Sequence, residues 1–308
     1  MKKHKLASLI IISLLFAVAV IGCGQSTQSE HTEQPKPIDI QENGQDQVAE
    51  DRDLPQRIVS IVPGMTEVLF DLGLEDRIVG VTLNCDYPVV AASKAIVGDW
   101  IINMESLLAL EPDLVVGMPS ANFQTLDEIE ALGINVLAVE AQSIEGIYEI
   151  YREVGIVTGT EAMAEEIIEN MQNQIATVEE KIATINDEDR LRVFLEIGYE
   201  PLYSASVGSL QHELLIIAGG VNAVTVESPW VEYSMESVLA DNPDAIIITH
   251  PASTAADVAK RSGYSQVTAV VEDRVTDNID PNILVRPTQR AAQGIEEIAE
   301  FLYPQLFN

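Results

Sequence analysis

DWIINMESLLALEPDLVVG occupies residues 99–117, and WVEYSMESVLADNPDAIIIT occupies residues 230–249. With Met104 set against Met235, the two agree at Glu105/Glu236, Ser106/Ser237, Leu108/Leu239, Ala109/Ala240, Pro112/Pro243 and Asp113/Asp244. Trp100 and Trp230, the two tryptophans of the chain, stand four and five residues ahead of the paired methionines. Each stretch reads as a short helix, a proline that ends it, and a β-branched run. The proline acts through its predecessor, which it pushes out of the α region. One element used twice predicts two lobes of like construction.

Outward from the first copy, RIVSIV (57–62), RIVGVT (77–82), DLVVG (113–117) and NVLAVE (135–140) read as strands. Helices are expected over Glu67–Leu72, capped by Thr66 and stopped at Gly73, over 103–110, and near 123–132. Around the second copy, RVFLEIG (192–198), AVTV (223–226), DAIIIT (244–249) and VTAVV (267–271) read as strands. SLQHELLIIAGG (209–220) reads as a capped helix, and Ala291, Ile295, Ile298 and Leu302 mark one apolar face of a last one. Such alternation implies mostly parallel sheets covered by helices.

Between the halves, Ala164, Ile168, Met171, Ile175, Val178, Ile182 and Ile185 form one unbroken apolar stripe. It predicts a single helix over 161–186, roughly 39 Å long at about 1.5 Å per residue. No glycine interrupts it, so a stiff strut with small closure between the lobes is expected. The fold class is therefore α/β, two Rossmann-like lobes with mostly parallel sheets joined by one long helix. The crevice between such lobes is the default ligand site.

The N-terminus carries Lys2, Lys3 and Lys5 ahead of the apolar run Leu9–Ile21. That run has the length of a secretory signal rather than of a membrane span. It ends Val20-Ile21-Gly22-Cys23, which resembles the bacterial lipobox, with Cys23 lipidated and becoming the first mature residue. An ordinary signal peptide with an incidental cysteine is the alternative. Residues 24–55 hold no Phe, Trp or Tyr and are dense in Gln, Glu, Asp, Ser and Pro, a composition expected of a tether spanning roughly 30 Å. The expected organisation is signal peptide 1–22, lipidated cysteine and tether 23–55, N-terminal lobe 56–158, linking helix 159–188 and C-terminal lobe 189–308.

Removing Lys2, Lys3 and Lys5 leaves 14 basic residues against 49 acidic ones, a formal charge of −35. This argues against nucleic acid or anionic lipid as partners of the folded part. With Cys23 lipidated, only Cys85 remains, so no intrachain disulfide and no multi-cysteine metal site are expected. Cys85 reads as a small buried hydrophobe. Outside the signal and tether, the histidines are His212 and His250. No G-x-S-x-G, Walker A or G-x-G-x-x-G motif is present. HELLI (212–216) lacks the second histidine of a zinc-protease helix. A binding protein is expected rather than an enzyme, with no catalytic residue, metal or cofactor of its own.

RIVSIVPGMTEVLFDLGLEDRIVGVTLNCDYP (57–88), VGDWIINMESLLALEPDLVVG, SPWVEYSMESVLADNPDAIIIT and RPTQRAAQGIEEIAEFLYP (286–304) together resemble the substrate-binding proteins of bacterial ABC importers for cobalamin. These sit in a wider class serving siderophores, haem and corrinoids. The resemblance spans roughly 57–304; CDYP (85–88) and the two tryptophans tilt it toward cobalamin. It implies an extracytoplasmic, lipid-anchored monomer that binds a corrinoid between its lobes and delivers it to a permease. The ligand-binding residues it implies are Pro63, Asp86, Tyr87, Trp100, Trp230 and Arg286. Tyr87, Trp100 and Trp230 could each bury about 150–250 Å² against a corrin, on the order of 10 kcal/mol gross before ordering costs; core packing is the alternative. Glu105 and Glu236 are implied to dock on arginines of the permease, though an acid in a first helical turn also gains about 0.3–1 kcal/mol from the helix dipole.

Where the family usually reads Arg-Pro-Gly-Pro-Arg, this chain has Arg286-Pro287-Thr288-Gln289-Arg290. Arg286 and Arg290, expected to open the last helix, could meet the nucleotide phosphate of cobalamin or pair with acids. The same role with a ferric siderophore or haem is the nearest alternative. Haem would want an axial Tyr or His at the cleft, and a catecholate siderophore several Arg or Lys. A surface enzyme or adhesin on two α/β lobes is the reading from another class.

Overall fold

The computed structural model describes residues 53–307. The expected signal peptide, Cys23 and residues 24–52 of the expected tether lie outside the described residues. In chain order the first lobe runs β1 (Ile58–Ser60), α1 (Pro63–Asp71), β2 (Ile78–Val81), β3 (Ala95–Ile96), α2 (Met104–Leu108), β4 (Leu114–Gly117), α3 (Pro119–Ala131), β5 (Asn135–Ala138) and α4 (Ile144–Thr158). Its five strands are parallel in the order β3-β2-β1-β4-β5. The central strands read as continuous apolar runs because helices cover both faces.

The helix α5 (Glu161–Ile182) leads to the second lobe. There follow β6 (Arg192–Gly198), β7 (Tyr203–Ala205), α6 (Leu210–Ile217), β8 (Val221–Asn222), β9 (Trp230–Glu232), α7 (Met235–Asp241), β10 (Ala245–Ile248), α8 (Ala255–Val258), α9 (Thr268–Val271), β11 (Val275–Thr276), α10 (Pro281–Val285) and α11 (Ala291–Leu302). The order is β11-β10-β6-β7-β9. Strands β11, β10, β6 and β8 pair in parallel, whereas β7 and β9 are antiparallel additions, so this sheet is mixed. The edge of β6 is shared: β8 takes its start at Arg192 and Val193, and β7 takes its end at Glu196 and Gly198.

Alternate residues of the central strands enter different cores, as a period of two requires. Ile58, Val193, Leu195 and Ile247 join one large cluster that also takes Met65 and Leu69 of α1, Val154 of α4, Met171 and Val178 of α5, Leu214 of α6 and Ile298 of α11. Their neighbours Val59 and Val115 join a smaller cluster of the first lobe, and Phe194 and Ile246 one of the second. Each lobe thus keeps a private core on one sheet face and contributes the other to a shared core. Two polar contacts add to this junction: Ile144 N–H donates to Glu213 Oε1 at 3.1 Å, and Gln289 N–H to Tyr151 Oη at 2.9 Å.

Several local expectations are corrected. Helix α1 starts at Pro63, whose fixed φ suits the first helical position. Thr66 therefore lies inside the helix, buried, with its hydroxyl 2.8 Å from Ser60 Oγ and 3.0 Å from Cys85 Sγ rather than capping. The linking helix has 22 residues instead of 26, about 33 Å at 1.5 Å per residue. Beyond Ile182 the chain tightens into three-residue turns, Thr184 N–H to Lys181 O and Ile185 N–H to Ile182 O, and the stripe outlasts the helix. Helix α4 is an addition to the expected elements; Ser143 caps it through Gly146 N–H, and Gly159 ends it at φ 74°.

In the second lobe the strand expected over 223–226 falls at β8 instead. Residues 224–226 are held by Ser206, whose Oγ accepts from Val226 N–H and lies 3.0 Å from Val224 O. VTAVV is helical at α9 rather than extended, because Asn242 Oδ1 accepts from Thr268 N–H at 2.9 Å and seeds a turn there. Arg290 sits at the cap of α11, but Arg286 belongs to the end of α10.

Candidate functional site

The repeated stretch is a construction module, and the structure shows what each letter does. Asn103 Oδ1 accepts from Ser106 N–H and caps α2; Ser234 Oγ accepts from Ser237 N–H and caps α7, each at 3.0 Å. Asp113 takes both Gln56 N–H (2.7 Å) and Arg57 N–H (2.9 Å) on its carboxylate, and Asp244 takes Arg192 N–H at 2.9 Å. Arg57 returns a bond to Leu110 O at 2.9 Å, and Arg192 to Asp241 O at 2.8 Å, each closing the C-terminal end of its helix. The acid after the proline thus pins the start of the central strand, and the arginine of that strand caps the helix. Glu105 and Glu236 are left free on exposed first turns of α2 and α7.

Beyond the C-terminal ends of the first lobe's strands lies a cavity of about 460 Å³. Its first-lobe wall includes Val62, Pro63 and Gly64 at the entry of α1, Leu83 and Asp86 after β2, and Met118 after β4. The opposite wall is Asn282, Val285, Arg286 and Pro287 of the second lobe. The approach is tight at Gly64, where a Cβ would stand 3.2 Å from Pro287 Cδ. Trp100 completes the lining from the tip of a turn and remains 79% exposed. That turn is built to hold it. Gly98 takes φ 143°, where a Cβ would lie 2.3 Å from Ile101 O, and Asp99 Oδ1 accepts from Ile101 N–H.

Pro63, Asp86, Trp100 and Arg286 of the expected ligand set therefore meet in one cavity. Tyr87 and Trp230 do not line it. Tyr87 carries the Arg290 guanidinium 4.1 Å above its ring, and Trp230 opens the edge strand β9, paired with Ala205. Both rings are about half exposed.

Beneath the cavity runs an ionic network that joins the lobes. Arg286 Nη1 donates to Glu67 Oε1 at 2.7 Å and to Asp86 Oδ1 at 2.8 Å. Arg290 contacts Glu67 at 3.3 Å and donates to Asp280 Oδ2 at 2.7 Å. Glu67 is 1% exposed; burial pushes its carboxyl above the ordinary range, against the pull of Arg286 and Arg290. A buried acid without these partners would be costly, and nothing in TEVLF announces it: its partners stand more than 200 residues away. Asp71 extends the network by accepting from Tyr151 Oη at 2.5 Å, and burial raises its carboxyl as well.

Neither His212 nor His250 lines the cavity. His250 Nε2 faces the buried Glu196 at 3.1 Å and its Nδ1 accepts from Ala252 N–H. Asn222 donates one amide hydrogen to Ala205 O, accepts Val224 N–H, and so turns its second hydrogen to His212 Nδ1. Cys85 is buried against Thr66 and Thr82, in keeping with a small core residue. Among the described residues no group of His, Cys, Asp or Glu is placed to hold a metal ion, and no helix is long and apolar enough to cross a membrane.

Two α/β lobes facing a cleft across a shared core define a solute-binding architecture, and residues 58–278 match one family model, periplasmic binding protein. The chain belongs to that family, whose members bind solutes for transport; it is a binding component and not an enzyme. It is 33% identical over 304 residues to an uncharacterized ABC transporter substrate-binding lipoprotein, YvrC, of Bacillus subtilis, covering 96% of each chain. It is 33% identical over 211 residues to a vitamin B12-binding protein of Salmonella paratyphi A, covering 68% of this chain and 76% of that one. Among solved structures, a possible iron-binding protein from Staphylococcus epidermidis superposes with a TM-score of 0.72 at 26% identity, covering 81% of this chain and 99% of that chain. The vitamin B12-binding protein BtuF of Vibrio cholerae superposes at 0.70 and 24% identity, covering 81% and 97%.

Proposed function

We propose that this protein binds a corrinoid, cobalamin, in the cleft between its lobes and hands it to an ABC permease. The observation that carries the reading is Trp100, a large ring held fully out on a braced turn at the mouth of a mainly apolar cavity. An exposed aromatic held this rigidly offers contact area at low ordering cost. The vitamin B12-binding relative at 33% identity supports the same cargo. A cavity of about 460 Å³ takes the edge of a corrin rather than the whole molecule. The remainder would lie across the mouth, where Tyr87 and Trp230 are proposed to meet it.

The polar lining fits a cargo fringed with neutral amides. Arg286 already carries two carboxylates, and no Tyr or His lines the cavity to serve haem as an axial ligand. Glu105 and Glu236 are proposed as the two docking points for the permease, and Cys23 as the lipid anchor on the extracytoplasmic face of the membrane. Purification from cells under anaerobic conditions, followed by a visible absorption spectrum, separates the cargoes. Corrin bands support the proposal; a Soret band or a ferric-siderophore charge-transfer band overturns it in favour of haem or a siderophore.

A further inference from the structure

We infer that Asp86 is a charge filter on the cargo site, discriminating against ligands that bring an anionic group to the Arg286 side of the cavity. The inference rests on the reading of this cavity as the cargo site, and it assigns a residue to the choice among cargoes.

The two carboxylates on Arg286 differ in kind. Glu67 is buried, shared with Arg290 and touched by Thr288 Oγ1, so it belongs to the junction between the lobes. Asp86 lines the cavity with a side chain 62% exposed, and its contact to Arg286 is a single 2.8 Å bond. Without Asp86 the two arginines face Glu67 and Asp280, and the local charge balances. With Asp86 these ion pairs set three carboxylates against two guanidinium groups, so the network beneath the cavity holds one excess negative charge, and Asp86 is the carboxylate of it that reaches the lining beside Arg286. A carboxylate or phosphate entering here meets an arginine whose Nη1 already serves two carboxylates, and a like charge beside it. A neutral amide meets neither obstacle, since it can accept or donate without displacing an ion. Like-charge juxtaposition is the usual way a binding surface rejects the wrong partner.

The test uses a matched pair, cyanocobalamin and its monocarboxylic acids, in which one peripheral amide is hydrolysed to a carboxylate. Affinities are measured by calorimetry for the wild type, Asp86→Asn and Asp86→Ser. Asn keeps the shape and an acceptor for Arg286, and Ser guards against an effect peculiar to the amide. For at least one acid isomer, wild type should prefer the amide by about tenfold or more, and both variants should reduce that ratio to about threefold or less. The wild-type ratio should also shrink as salt rises from about 0.05 to 0.5 M, because partly exposed charges are screened. Ratios that are the same in all three proteins for every isomer overturn the filter. If neither cobalamin form binds, the cargo reading fails on its own, and the contrast is read with haemin against its dimethyl ester. An unchanged ratio there, or no binding of that pair either, overturns the filter.

Discussion

The first turns of α2 and α7 share the letters Met-Glu-Ser, the same cap geometry and the same strand-pinning aspartate, yet the tryptophans ahead of them lead different lives. Trp100 stands at the tip of a braced turn and lines the cavity, whereas Trp230 is built into an edge strand against Ala205. The repeat therefore encodes how a lobe is assembled, whereas the cavity is lined mostly by residues outside it, from Val62 to Asp86 and from Asn282 to Pro287. Glu105 and Glu236 are the part that assembly does not consume: both stand exposed, with no role in either cap. Equivalence of the two lobes should hold for docking and for stability, and fail for ligand affinity.

The largest effect is expected where equivalence is complete. Glu105→Lys together with Glu236→Lys should abolish cobalamin uptake in cells, since like charges at an interface cost several kcal/mol. Binding by the purified protein should stay within about twofold, and either single reversal should leave an intermediate defect. Normal uptake by the double variant would reduce both glutamates to helix-dipole charges.

Affinity should break the symmetry. Trp100→Ala should weaken cobalamin by about 2–4 kcal/mol, roughly 30-fold or more. Trp230→Ala should cost less, because its ring meets only the part of the ligand outside the cavity. Equal losses measured by calorimetry would place both rings on the corrin alike.

Stability offers a finer comparison. Asp113→Ala strands two backbone N–H donors and Asp244→Ala one. With about 1–3 kcal/mol for each buried group left unsatisfied, and less where water reaches it, urea denaturation should find Asp113→Ala the more destabilised. The smallest effect concerns Glu111 and Asn242, equivalent residues that both take a left-handed conformation, φ 47° and 45°. Asparagine tolerates that region and also holds Thr268, while glutamate does neither. Glu111→Gly should stabilise by about 0.5–1 kcal/mol, and Asn242→Gly should destabilise.

What the sequence made legible was whatever depends on short range. The α/β alternation, the stripe of α5, the cap at Ser209 and the apolar face of α11 all follow from residues within a turn or two of each other. What it hid depends on distant partners. Val267–Val271 looks like a strand from its β-branched residues, and only Asn242, 26 positions away, turns it into a helix. Glu67 has no local mark of burial because its arginines arrive from the last helices of the other lobe. Arg57 and Arg192 look in the sequence like strand beginnings and nothing more, although each also closes the helix of its module. For the cavity, Pro63, Asp86, Trp100 and Arg286 came from resemblance, while Gly64, Leu83 and Asn282 carried no signal of their own.

The chain's two tryptophans make the central claim directly measurable, because a corrin absorbs strongly and quenches a ring it touches. Trp230→Phe leaves Trp100 as the only tryptophan, and its emission can be followed as cyanocobalamin is added. Saturable quenching of most of that emission, at the same midpoint that calorimetry gives, is the predicted result. Emission from Trp100 that stays unchanged through ligand saturation would contradict the account and remove the ring from the binding site.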